Sequence, residues 1–292
     1  MLWAVPVAVV GAFALALGSA LQERDAVRAP GGRVARAGVL FHLFGRPRWL
    51  LGGVLVVLGA LLHLVALSGA PLTIIQPLGV TGLLFAIVLW SFFTHRAVDS
   101  HQVVAGIAVM VGLTGVLWLF PHVDEAPVMD TVTALVLAGA VIGAGFLLHS
   151  VARWFPSPLR AILLAMAGGA AMGTTSGLAR VVLVGAHGDW SQLISWLTLL
   201  AVVTAVFGAL LVQNAYRSGH FAAAYATLLV TDPVVGVGIG AVMLGEGAPE
   251  TPLAQVGALV FALLAVVGTV GLARSRDRNP EAGQDTRSFR TR

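Results

Sequence analysis

Cysteine and lysine are absent from the 292 residues, tyrosine occurs only twice, and charged residues make up just 10% of the chain. Without cysteine there is no disulfide framework, no thiol nucleophile and no thiolate zinc site. Charge this scarce, against roughly 25% in soluble domains, excludes a disordered chain and leaves too few polar side chains to coat a soluble one. What is present is apolar. The hydrophobic set reaches 58%, and about 70% with the 35 glycines counted, where soluble domains reach roughly 45–50%. Such a chain is a polytopic membrane protein.

The net charge of +4 does not point to nucleic acid. All 17 basic residues are arginines, and they fall almost entirely in short segments between apolar runs and at the C-terminus. That is the layout of membrane topology rather than of a face that tracks phosphates.

A helix needs about 20 residues to cross a hydrocarbon core of roughly 30 Å. The apolar runs predict an all-α bundle of about nine spans, at 2–21, 49–69, 72–93, 101–119, 129–149, 160–180, 191–213, 220–244 and 253–272. The alternation that a β-barrel requires is missing. Loops alternate in sign: Arg24, Arg28, Arg33, Arg36, Arg46, Arg48, Arg96, Arg153, Arg160 and Arg217 fall on one side, and Asp124, Glu125, Asp189, Glu246 and Glu250 on the other. Because positive loops stay inside, the N-terminus is expected outside and the C-terminus in the cytoplasm of a bacterial plasma membrane. The first span lacks a basic leader and a small-residue cleavage site, so it reads as a helix rather than a signal peptide. In loop 22–48, Val34, Ala37, Phe41 and Phe44 recur at helical spacing, which suggests an interfacial helix. Residues 273–292 read as a disordered basic tail beside anionic lipid, and 1–272 as one transmembrane domain with halves at about 1–119 and 129–272.

A shift of about 151 residues lays Ser68–Gly106 over Gly219–Gly257 and pairs spans 2, 3 and 4 with spans 7, 8 and 9. Five crossings is an odd number, so paired helices run in opposite directions. Inverted repeats recur in secondary transporters, whose substrates sit near the midplane between the halves.

Asp232 falls at the centre of span 8, where a carboxylate costs about 2.5–3.5 kcal/mol to insert and so calls for a cavity or a partner. Next to it, Pro233 has no N–H and frees the carbonyl of Leu229. The pair reads as a substrate or proton-coupling site, or else as a lock to Arg180 or a hydroxyl. Gln76 and Pro77 form a second helix break, in span 3, which is either a binding feature or a simple kink. His63 inside span 2 reads as a proton relay, a substrate contact or a packing residue. Arg180 either snorkels to the headgroups or pairs with Asp232 or an anionic substrate. Tyr225, Thr227 and Thr231 lead along span 8 toward Asp232 as candidate pocket residues, while Thr174, Thr175 and Ser176 read as interhelical glue. His95, His101, His149 and His220 stand at span ends without metal-ligand spacing. Gly236, Gly238 and Gly240 follow no strand, which argues against a nucleotide fingerprint, and no P-loop is present. No cofactor, metal or catalytic residue is expected.

Several stretches carry a resemblance. They are Arg36-Ala37-Gly38, Arg48-Trp49-Leu50-Leu51-Gly52 and Ala70-Pro71-Leu72-Thr73-Ile74-Ile75-Gln76-Pro77-Leu78-Gly79 in the first half, and Ala224-Tyr225-Ala226-Thr227, Asp232-Pro233, Leu244-Gly245-Glu246 and Gly257 in the second. In these the chain resembles the drug/metabolite transporter superfamily, with its EamA-type repeats, and within it the NIPA-like magnesium transporters. The likeness runs to about Ala273, and nine helices with an outside N-terminus fit the NIPA-like pattern. Two acidic positions of that branch fall near Ala60 and His95, which leaves Asp232 as the carboxylate of the membrane interior.

The resemblance implies a carrier of small metabolites, drugs or cations, and the chain reads as a secondary transporter working by alternating access, with proton coupling through Asp232 expected from the depth of that carboxylate in its span. Divalent-cation transport of the NIPA type is the first alternative. A non-transporting scaffold or accessory subunit, or a flippase for lipid-linked head groups, are alternatives of another class. The expected partners are a small-molecule or ion substrate and the bilayer, with a homodimer as one option for assembly.

Overall fold

A computed structural model of the chain describes residues 3–28, 43–67, 78–95, 97–120, 129–185, 193–243 and 249–274. Among them stand nine long helices, α1 (Ala4–Arg28), α2 (Pro47–Leu67), α3 (Gly82–Thr94), α4 (Ser100–Leu119), α5 (Thr131–Ala152), α6 (Ser157–Gly185), α7 (Trp196–Arg217), α8 (Phe221–Met243) and α9 (Pro252–Arg274). Seven, all but α2 and α3, are long and apolar enough throughout to cross a bilayer. Each expected span matches one helix, although α1 runs seven residues past its apolar stretch, through Glu23, Arg24 and Asp25. Most of the stretch proposed as an interfacial helix lies outside the described residues, as do Gln76, Pro77 and the C-terminal tail.

Local chemistry starts and stops these helices. Asp130 caps α5 by accepting the N–H groups of Val132 and Thr133 at 2.9 and 3.0 Å. Asp99 and Gln102 form a capping box at the start of α4. Ser195 caps α7 through the N–H of Thr198. Gly219, at φ 75°, ends α7 in the left-handed region and turns the chain into α8.

Glycines set the packing. In α1 and α2, Gly18 faces Gly52 and Gly11 faces Gly59, so the two helices are antiparallel and their backbones touch. A Cβ on Gly18 would stand 2.5 Å from the Gly52 carbonyl oxygen. The α6–α7 pair is antiparallel in the same way, with Gly168 against Val212 and the Thr175 and Thr204 hydroxyls 2.9 Å apart. This bears out Thr175 as glue between helices.

The neighbour relations recur five helices along. α1 packs on α2 and α3, and α6 packs on α7 and α8. α1 and α3 are parallel, from Ala12 against Gly82 to Arg24 over the Phe93 ring. α6 and α8 are likewise parallel, from Gly169 against Thr231 to Gly177 against Ile239. α4 and α9 meet antiparallel, with Gly115 on Phe261 and Ala105 on Gly268, and α3 meets α8 with Gly82 on Tyr225. α5 lies outside this scheme, against α6 and α7.

Candidate substrate and coupling site

α8 is built in two parts. From Phe221 to Thr227 every residue is buried, with Phe221 stacked between Tyr216 and Tyr225 at centroid distances of 5.3 and 5.6 Å. Beyond Val230 the helix loosens: Asp232 and Pro233 are half-buried and Val234 and Gly238 are exposed. The drop begins at Leu228 and continues through the Asp232–Pro233 step, where proline removes one rung of the helix ladder, until Ile239 and Gly240 are buried again. Small residues of α6 support this step from one side. Gly169 lies against Thr231 and the backbone of Asp232, and Gly173 against the Asp232 carbonyl oxygen, with Val235 and the Gly236 nitrogen beside it.

Tyr225 and Asp232 are seven residues apart and so share one face of α8, about 10 Å apart along its axis. The Tyr225 hydroxyl reaches the α1–α3 seam at Ala12 and Gly82. The His63 ring of α2 lies against Gly79, one turn before Gly82, with its Cε1 nearest. Tyr225 and His63 therefore border the same stretch of chain leading into α3 from two sides, and Asp232 stands two turns beyond Tyr225. Among the described residues the Asp232 carboxylate makes no hydrogen bond or ion pair. The side chain of Arg180, its candidate partner, lies outside the described residues, as do Gln76 and Pro77.

The two threonines of the candidate set face elsewhere. Thr227 is buried and donates to the carbonyl of Ala223 at 2.7 Å, so its hydroxyl is engaged within its own helix. Thr231 lies on the α6 seam. Thr174 likewise donates to the carbonyl of Ala170 at 2.9 Å.

At the other end of α8, about 18 Å from Asp232 by helical rise, the helix ends carry the bundle's positive charge. Arg24, Arg28, Arg46, Arg48, Arg153, Arg160, Arg217 and Arg274 all belong to this end, as the loop alternation requires. A narrow cleft with room for about one water opens here between the ends of α3, α4, α8 and α9, lined by Trp90, Gln102, His220, Phe221, Ala222, Ala223 and Leu272.

Several buried polar residues escaped the sequence reading. Glu23 and Asp25 are 7% and 5% exposed, inside a stretch that reads as a solvated loop. Gln213 joins three helices, accepting from the Trp49 indole at 3.0 Å and donating to Gln22 at 3.0 Å. The available signal was two acids within three residues of an otherwise basic segment, at i+4 and i+6 from Ser19. Among the described residues no three histidines or carboxylates gather as a metal site.

An all-helical membrane bundle with a lone carboxylate at a proline break, its neighbour relations repeated five helices along, has the architecture of polytopic transporters. The family model for the magnesium transporter NIPA matches residues 1–154, more than half of the chain, and the chain belongs to that family. It is also 24% identical over 279 residues to an uncharacterised protein of Corynebacterium glutamicum, covering 94% of this chain and 96% of that one. No solved structure matches it.

Proposed function

We propose that the chain is a secondary transporter in which two inverted halves, α1–α4 and α6–α9, rock about the α3–α8 and α4–α9 contacts, and that Asp232 couples proton movement to that of a small solute. The antiparallel meeting of α4 with α9 carries this reading, because it is the contact that a five-helix inverted repeat requires. Asp232 supplies the chemistry. A half-buried carboxylate with no partner among the described residues can exchange a proton or hold a cationic group, and the Pro233 break lets the half-helix beyond it move independently. Tyr225 and His63 border its approach, and Gln76, Pro77 and Arg180 complete the candidate set. The basic end faces the cytoplasm of the plasma membrane, where its arginines meet anionic lipid.

A second reading, divalent-cation transport, is favoured by the family itself. Hard cations take oxygen ligands, and besides Asp232 the chain buries two further carboxylates, Glu23 and Asp25, at the basic end of α1 and apart from Asp232.

Proteoliposomes with an imposed pH gradient separate the two readings. On the first, an inward proton gradient drives uptake of a solute found by thermal-shift screening, and Asp232→Asn abolishes that drive while leaving the protein folded. On the second, magnesium uptake read by an internal dye proceeds without a pH gradient. Undiminished pH-driven transport by Asp232→Asn would eliminate the role given to this residue.

A further inference from the structure

At the basic end, buried hydrogen bonds tie α1–α4 to α6–α9. Gln213 of α7 accepts the Trp49 indole N–H of α2 at 3.0 Å and donates to the Gln22 side-chain oxygen of α1 at 3.0 Å, and both Gln213 and Trp49 are buried. About one turn further along α7, the Tyr216 hydroxyl shares a hydrogen bond with Ser19 of α1, close to Glu23. The adjoining part of α8, Phe221–Thr227, is buried throughout. The two halves are thus closed on one another at this end.

An inverted repeat calls for the same closure at the opposite end, between α6 and α2. The packing fixes the register of that comparison. A Cβ on Gly11 would meet the Gly59 carbonyl oxygen and the His63 nitrogen, and one on Gly168 would meet the Gly208 carbonyl oxygen and the Val212 nitrogen, so Gly11 and Gly168 are equivalent positions. The residues after them agree: Ala12 meets Gly82 while Gly169 meets Thr231 and Asp232, and the 151-residue shift carries Gly82 to Pro233, next to Asp232. In this register Ser19 of α1 falls on Ser176 of α6. Their surroundings differ. Ser19 is buried and bonded across the halves, whereas Ser176 is exposed. Among the described residues α1 packs on α7, but α6 packs on α5, α7, α8 and α9 and not on α2.

We propose that the Trp49–Gln213–Gln22 bridge and the Ser19–Tyr216 bond form a gate at the basic end, and that the structure is the state in which this gate is closed and the opposite end, between α2 and α6, is open. The inference rests on the two-half carrier of the proposed function and adds the residues that hold one of its states. In the alternate state the bridge parts, α6 closes on α2, and Ser176 is covered. Repeats of one design make the two states comparable in energy, so a few buried hydrogen bonds suffice to set their ratio.

Distances between spin labels on Val65→Cys and Gly185→Cys, near the ends of α2 and α6 away from the basic end, test this in nanodiscs, on a chain with no cysteine of its own. The parent should show mainly a long separation. Gln213→Leu removes both bonds of the bridge and should raise the ratio of short to long separations about tenfold. Trp49→Phe loses only the indole N–H and keeps an aromatic ring in place, so it should act in the same direction by a smaller factor; it decides the matter alone if Gln213→Leu does not fold. Labelling of Ser176→Cys by a charged maleimide should slow in step. Unchanged or longer separations in the folded variants, or a Ser176→Cys that resists labelling in the parent background, would overturn the gate. None of these readouts needs a substrate or Asp232, so their failure and the failure of proton coupling are told apart by Asp232→Asn.

Discussion

Gly173 of α6 sits so close to the main-chain oxygen of Asp232 in α8 that a Cβ at this position would overlap it. The backbone of Asp232 is thus held by a neighbouring helix, while its carboxylate is left without a partner among the described residues. Gly173→Ala must push α6 and α8 apart. Overpacking of this kind is expected to cost about 1–3 kcal/mol, read as a lower melting midpoint in detergent, and to reduce transport more than Gly238→Ala, because Gly238 faces open space.

Thr175 and Thr204 offer a double-mutant cycle. Their hydroxyls are 2.9 Å apart, but each also has a carbonyl of its own helix within reach, Ala171 for Thr175 and Leu200 and Ala201 for Thr204. Since each hydroxyl has a single proton to share, the coupling should be near the membrane-protein average of about 0.6 kcal/mol. Additivity within error between Thr175→Ala and Thr204→Ala would remove the interhelical bond from the account.

Asp130 is held below the usual carboxylate range, first by the Thr133 hydroxyl and then by the Thr133 and Val132 N–H groups. A carboxylate depressed on folding contributes stability that is present above its unfolded value, about 3.9, and is lost as pH falls through the lower folded value. The melting midpoint should therefore be flat near neutrality and fall below about pH 4, with a weaker fall in Asp130→Asn, which keeps a cap but does not titrate.

His95 closes α3 with φ 54°, in the left-handed region that glycine adopts without penalty. His95→Gly should raise stability by a few tenths to about 1 kcal/mol, since the helix end is retained and the strain removed. A loss of stability would mean that the imidazole makes a contact that outweighs the backbone.

The absence of native cysteine makes single-cysteine labelling clean. With the basic end inside, a maleimide that cannot cross membranes should label Glu250→Cys in intact cells, and Arg274→Cys only after lysis. The reverse pattern would invert the orientation.

Much of the architecture could be read from the chain. The nine apolar runs became nine helices among the described residues, because without the alternation of a barrel only helices satisfy the backbone polar groups in lipid, and the 151-residue shift implied that α4 and α9 run in opposite directions, as they do where they meet. Where the reading stopped, the cause is three-dimensional. Glu23 and Asp25 look like loop residues until α1 continues seven residues beyond its apolar stretch and buries them. Thr227 and Thr231 share a sequence neighbourhood with Asp232 but point to different neighbours, because each residue turns a helix by about 100°.

Hydropathy and charge, summed along the chain, determined that it crosses the membrane and where, because the cost of placing polar groups in hydrocarbon is set residue by residue. Which side chains meet was decided only when the helices packed. Glycine contacts such as Gly173 against Asp232, and the Trp49–Gln213–Gln22 bridge, join residues distant in sequence. No local pattern encodes those pairings, because they depend on the crossing of whole helices.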